Sequence, residues 1–238
     1  MVDVVYCVGP RPPVPDVLRW SIRSLWHHLP FDRLYVAGVV PKWLGAEALP
    51  VDQDGPQWVN MGRNLKATLE SDIAESFYWC NDDFFVTQNI AEVPLLARDT
   101  LFDDYLASRD PNAGLEHRRG FLAGMAAQRD ILRAWGYDNP PCLDLHVPMP
   151  LEKARLKDLV GRIETDYPDH ELGHFRALYL AVTDIEPVLI RDCKVSKSSG
   201  TFPPEWTYVS TGPAAWRTGS VGVQLRNRYW RPSPWEID

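Results

Sequence analysis

The chain has 238 residues, an apolar fraction of 45%, ten Trp and a formal net charge of −7. That composition excludes a disordered chain, and the negative balance gives no global electrostatic reason to sit on nucleic acid or an anionic membrane, a local basic groove excepted. No apolar run approaches the roughly 20 residues that span a bilayer, and the four scattered cysteines form no Cys-x-x-Cys pair; with no basic leader before the first strand, the expectation is a cytoplasmic protein.

The first predicted element is a buried strand over 2–9, "VDVVYCVG", closed by "GPRPP". A helix over about 16–28 follows, with Leu18, Ile22, Leu25 and Trp26 at helical spacing. "RLYVAGVV" (33–40) reads as a second buried strand, "NMGRNLKATLESDIAE" (60–75) as a helix and "FYWCNDDFFV" (77–86) as one further strand. Strand, helix, strand, helix, strand predicts a doubly wound, mostly parallel sheet with flanking helices. The half beyond residue 98 reads as more helical, over about 100–108, 121–135, 150–165 and 172–182, before "EPVLIRDCKV", "WTYVSTG" and a C-terminal arm. One domain is expected over 1–238, with an α/β donor half (1–98) and a helical acceptor or lid half (99–238).

Ligands of such sheets bind beyond the carboxyl ends of the strands, where "GPRPP" and Asn81-Asp82-Asp83 fall together. Hard carboxylate oxygens on Asp82 and Asp83 suit Mg²⁺ or Mn²⁺ bridged to the phosphates of a nucleotide, with the Asn81 amide beside them for a ribose or sugar hydroxyl. The bland alternative is a solvated strand end or an arginine pair. Arg19 and Arg23, at i and i+4 on one helix face, can fork phosphate oxygens. Arg63, Asn64 and Lys66 sit at a predicted helix start, which favours anions. Gly9 and Arg11 complete the expected diphosphate seat. His146, in a loop before Pro150, is placed to act as base on an acceptor hydroxyl. Of His174 and Arg176, two apart on a predicted helix, one is expected to enter the site, and Arg176 suits the leaving diphosphate.

Several short segments follow in an order that resembles the Stealth family: "DVVY", "LRWSIRSL", "LYVAGVVPKWL", "GRN", "FYWCNDDFF", then "LHVPMPLEKARLKDL" and "GHFRALYLA". That family comprises nucleotide-sugar-dependent sugar-phosphate transferases of capsule synthesis and lysosomal mannose tagging. The resemblance implies an A-type glycosyltransferase-like fold, a UDP-sugar donor, a divalent Mn or Mg ion on the acidic motif, and roles for His146, His174 and Arg176. "CVGPRP" replaces the Trp-Val-Asp-Gly stretch that usually follows the first family motif, and the chain is short. Both features favour transfer of the sugar without its phosphate, with Stealth-type sugar-1-phosphate transfer as the alternative. A phage-encoded enzyme acting on a hydroxymethylated DNA base, a virion protein or a glycan is one expectation.

Two polar segments remain. "KVSKSSG" (194–200) reads as a mobile loop that could close over donor, and "QLRNRYWRP" (224–232) interleaves Arg226, Arg228 and Arg231 with Tyr229 and Trp230. Such interleaving holds flipped-out or single-stranded nucleic acid, and equally serves an arm packing its Trp onto the body. Outside enzymes, a carbohydrate-binding protein stacking Trp on sugar rings is the competing class.

Overall fold

The computed structural model describes residues 2–10, 16–109 and 116–237, with backbone alone at 116–119. Its elements in chain order are β1 (Asp3–Val8), α1 (Val17–His28), β2 (Leu34–Gly38), β3 (Glu47–Leu49), α2 (Gln57–Glu70), β4 (Ser76–Cys80), β5 (Phe84–Val86) and β6 (Leu96–Arg98). Then come α3 (Phe102–Ala107), α4 (Glu116–Ala134), β7 (Met149–Glu152), α5 (Lys153–Asp166), β8 (Val188–Ile190), β9 (Lys194–Val195), β10 (Tyr208–Thr211), α6 (Pro213–Arg217) and α7 (Ser220–Arg228). Among the described residues no helix is long and apolar enough to cross a membrane.

The architecture is mixed α/β around a mostly parallel sheet in the order β3-β2-β1-β4-β7. The first four strands run parallel and β7 lies antiparallel on β4. Both faces of β1 are buried, which is why it is continuously apolar from Val4 to Val8 instead of alternating. Val4, Tyr6 and Val8 pack with Leu18, Ile22 and Leu25 of α1. Val5 faces the other way, toward Leu65 and Leu69 of α2 and the apolar sides of α4 and α5. The crossovers therefore cover opposite faces, and the β1/β4 boundary becomes the topological switch point.

"FYWCNDDFFV" is not one strand. β4 stops at Cys80, Asp82 and Asp83 make a turn, and β5 enters a second sheet in the order β5-β10-β9. A continuing strand would have put two adjacent carboxylates on the two apolar faces of the sheet, a costly burial. The turn instead brings both to the sheet rim. Phe85 then packs with Val209, Trp216, Leu225 and Tyr229 in a separate apolar cluster.

Three other expectations change. Residues 150–152, read as the start of a helix, belong instead to the edge strand β7, where the missing N–H of Pro150 costs no ladder bond. The 172–182 helix resolves into two 3-10 turns, Leu172–His174 and Ala177–Val182. Among the described residues, the half beyond residue 98 mixes helices α3 to α7 with strands β7 to β10.

The C-terminal segment is held by a clasp. Arg23 Nε and Nη2 donate to the two Glu236 oxygens at 2.7 and 2.6 Å, and Nη1 donates to the Tyr229 and Trp230 carbonyls. Burial pushes the Glu236 carboxyl up, but the bond and charge of Arg23 together with the bonds from Ser233 outweigh this and hold it below the usual range. Glu236→Ala leaves the buried Arg23 without its carboxylate, and urea unfolding at pH 7 is expected to show a loss of about 1–3 kcal/mol. Because the folded pKa is depressed, that contribution is complete above the unfolded carboxyl value. The gap between wild type and variant therefore closes as pH falls through the folded pKa.

Candidate active site

The rim at the carboxyl ends of β1 and β4 is completed by the second half of the chain. Met149 at the start of β7 pairs with Trp79 near the end of β4, so the bend carrying His146 just ahead of β7 lies beside Asp82 and Asp83. On the other side, Ser210 of β10 is in register with both Phe84 and Lys194. Lys194 thereby reaches the same turn.

His146 Nδ1 lies 2.8 and 2.9 Å from the two Asp83 oxygens. Lys194 Nζ lies 3.3 Å from Asp83 Oδ2 and 3.3 and 3.4 Å from the His146 ring nitrogens. Burial alone would raise the Asp83 pKa, but the facing His146 and Lys194 more than offset it and bring it to about 2. For Asp82, burial, then the charge on Asp83, outweigh the opposing His146 and Lys194 and push it up to about 6. Neighbouring carboxylates with separated pKa values are the arrangement that acid-base chemistry uses.

Beside this cluster lies a cavity of about 230 Å³ lined by Asn81, Asp144, His146, His174 and Arg176. Its opposite wall is apolar: Trp58 and Met61 from α2, Phe121 and Met125 from α4. Phe121, Met125 and Gln128 follow i, i+4, i+7 spacing, so α4 offers one face to the cavity. Gln128 donates to the His174 carbonyl at 2.6 Å and accepts from the Ala177 N–H at 3.0 Å, clamping the segment that carries Arg176.

Asp144 and Lys194 are members that sequence reasoning passed over. Asp144 Oδ2 accepts from the Tyr105 hydroxyl at 2.8 Å. Burial raises the Asp144 pKa, while His146, Tyr105, Arg176 and Arg98 outweigh this and hold it low, so the cavity contains an ionised carboxylate. The available signal was the alternation in "CLDLH": Leu143 and Leu145 are buried, while Asp144 and His146 line the cavity. Lys194 belongs to β9, not to a loop, and its strand partner removes the mobility expected of it.

His174 and Arg176 both line the cavity, contrary to the expectation that one would, because the helical turn ends between them. Arg176 donates to the Leu145 carbonyl at 2.5 Å and to Asn81 Oδ1. Burial, then repulsion from His170, push the His174 imidazole down to about 4, so it is neutral at pH 7. Its ring sits against α4 at Gly124, where a Cβ would come within 2.2 Å of Nε2.

The expected phosphate cations are elsewhere. Arg19 lies over Trp43 and 3.6 Å from Glu236, and Arg23 is taken by the same carboxylate. Arg63 is bound to Asp54, and Asn64 is buried and accepts from Gln53 at 2.7 Å. Because α2 begins at Gln57, both lie inside the helix and face none of its free N–H groups. Lys66 pairs with Glu164. Gly9 is exposed at the rim, and Arg11 lies outside the described residues. In the C-terminal arm, Arg226 donates to the Trp216 carbonyl and Arg228 to Thr87 O, at the far end of β5 from Asp83. Trp230 stays exposed.

A divalent ion held by one or two carboxylates plus substrate phosphates needs free carboxylate oxygens. Here His146 contacts both Asp83 oxygens and Lys194 lies 3.3 Å from one of them. Among the described residues no three His, Cys, Asp or Glu side chains are grouped to hold a metal. His146 and Lys194 thus compete for the Asp83 oxygens with the Mn²⁺ or Mg²⁺ expected on Asp82 and Asp83.

No family model matches this chain, and no curated protein matches it. Among solved structures, the glycosyltransferase GlyE of Streptococcus pneumoniae TIGR4 is similar at a TM-score of 0.39 and 11% identity, over 78% of this chain and 44% of that one. This chain thus spans less than half of that protein's length. A likeness so distant carries no argument about chemistry.

Asp82 supplies a prediction of its own. Its folded pKa of about 6 lies above the unfolded value, so the folded state binds more protons in between, and stability falls as pH rises through that window. Asp82→Asn is expected to stabilise the protein by about 1–3 kcal/mol at pH 7. The gain should vanish below about pH 4, near the unfolded carboxyl pKa, in urea unfolding measured across pH.

Proposed function

We propose that this chain is a glycosyltransferase that moves a sugar from a nucleotide-sugar donor to an acceptor hydroxyl. The observation that carries the proposal is the meeting of the Asp83–His146 pair, Asp144, Arg176 and Lys194 beside an aromatic-walled cavity at the switch point of a parallel sheet. The cavity is smaller than the roughly 300–1,000 Å³ that encloses drug-sized ligands. It suits one sugar ring, with the nucleotide lying outside along the rim near Gly9.

In this proposal the apolar face of the ring rests on Trp58 and Phe121, and its hydroxyls meet the ionised Asp144, held by Tyr105, and the Asn81 amide. His146 acts as base. With Asp83 accepting from Nδ1–H, the imidazole is held in the tautomer whose Nε2 carries the lone pair. Nε2 takes the acceptor proton as the acceptor oxygen bonds to the anomeric carbon. The bond from that carbon to the donor phosphate oxygen breaks, and the electron pair leaves with the nucleoside diphosphate. Arg176, whose buried guanidinium is fixed through Asn81 and Leu145, contributes positive charge at the cavity wall.

The test is incubation with a panel of UDP-sugars and hydroxyl acceptors, including glycans and hydroxymethylated DNA, with nucleotide products resolved by chromatography. Release of UDP is expected; release of UMP identifies sugar-1-phosphate transfer instead. His146→Ala and Asp83→Asn are each expected to lower turnover by about 10²–10⁴-fold with the fold intact by circular dichroism. Full activity in both variants, or glycan binding that never involves nucleotide, overturns the assignment.

Trp58→Ala addresses the cavity separately. Removing the platform should weaken sugar-dependent affinity, measured as the ratio of UDP-sugar to UDP dissociation constants, by about 5–10-fold, while UDP alone binds as before.

A further inference from the structure

We propose that Lys194 stands where a divalent ion would sit, so that donor diphosphate is held by a fixed ammonium and transfer needs no metal. The inference rests on the nucleotide-sugar reading above. Lys194 Nζ lies 3.3 Å from Asp83 Oδ2, on the carboxylate that would have ligated an ion. An ion at that carboxylate would have to displace the ammonium or sit beside it against direct repulsion.

The position of the ammonium is built. Lys194 pairs with Ser210 across β9 and β10, and its N–H donates to Asp192 Oδ1 at 3.1 Å. Asp192 is in turn held by Arg98 Nη1 at 2.6 Å, and Arg98 Nε donates to the Asp144 carbonyl at 2.8 Å. The same lattice therefore places the lysine and the cavity carboxylate. The Lys194 side chain keeps 29% of its surface open, against 7% for the clasped Arg23.

Nζ carries three N–H donors and no acceptor. Its contacts to Asp83 Oδ2 and to the two His146 nitrogens, at 3.3, 3.3 and 3.4 Å, are all long, so its donors can turn to phosphate oxygens. In the transfer step the anomeric carbon–oxygen bond breaks and its electron pair goes to the departing diphosphate, whose new charge faces the ammonium. Lys194 keeps its proton, and the acceptor proton goes to His146.

Calorimetric titration of UDP into the wild-type protein, in EDTA and in Mn²⁺, tests this, alongside turnover of the donor identified by product release. The expected result is a UDP dissociation constant unchanged within about twofold between the two conditions and turnover that persists in EDTA. Lys194→Ala should weaken UDP binding at least tenfold in EDTA and recover part of it in Mn²⁺, the ion now having the Asp83 oxygen to itself. Lys194→Arg should stay metal-independent. Loss of wild-type UDP binding or turnover in EDTA overturns the inference while leaving the transferase reading intact, as does a Lys194→Ala protein that binds UDP normally without metal. Failure of the wild type to bind any nucleoside diphosphate, with or without Mn²⁺, overturns the transferase reading and this inference together. The wild-type arms do not depend on the folding of any variant.

Discussion

The site depends on one half-buried carboxylate, Asp83. Asp83 leaves the sheet at the point where β4 can no longer continue, and an ionised carboxyl there is stable only if other parts of the chain bring charge to it. His146 comes from 63 residues away and Lys194 from 111 residues away. Strand pairing fixes each approach: β7, just after His146, on β4, and β9, which carries Lys194, on β10. The acidic turn is thus both the break between two sheets and the seam that ties the second half of the chain to the first.

Much of the fold was legible because it follows from local pattern. The apolar runs at β1, β2 and β4, separated by amphipathic helices, define the parallel sheet and its rim, and the acidic pair falls at that rim. What the pattern could not report was pairing. Pro150 looks like a helix start until an edge strand is available to accept it, and the run through Asp82 and Asp83 looks continuous until one sees that β5 pairs with β10 instead of extending β4. Asp83, His146 and Arg176 were recognisable as a set from spaced short motifs. Lys194 was hidden in a polar stretch whose composition matches a loop, and Asp144 in an alternation only four residues long.

The misplaced cations share one physical reason. Arg19 and Arg23 have the helical spacing of a phosphate fork, but spacing is blind to a carboxylate arriving from position 236. A guanidinium presents five donors, and four bonds to Glu236 and two carbonyls leave Arg23 little to offer a ligand. Arg226 and Arg228 are likewise committed to backbone carbonyls. Sequence separation, not residue type, is what concealed these partners.

The same donor arithmetic separates structural from chemical cations across the molecule. Arg23 is nearly enclosed and close to saturated, so its charge is spent on holding the C-terminal segment. Arg176 is equally enclosed, but its partners are the neutral Asn81 amide and the Leu145 carbonyl, so its net charge is left to act on the cavity. Lys194 is the least enclosed of the three and carries the fewest strong bonds. Its partner is a carboxylate already shared with His146, so within the pair Asp83–Lys194 the ammonium's charge is offset while Asp83 still orients the imidazole. A divalent ion at the same carboxylate would add two charges to that pair and draw the imidazole lone pair toward itself. The arrangement therefore favours one function for the acidic turn at a time: orienting a base beside a fixed ammonium, or binding a metal.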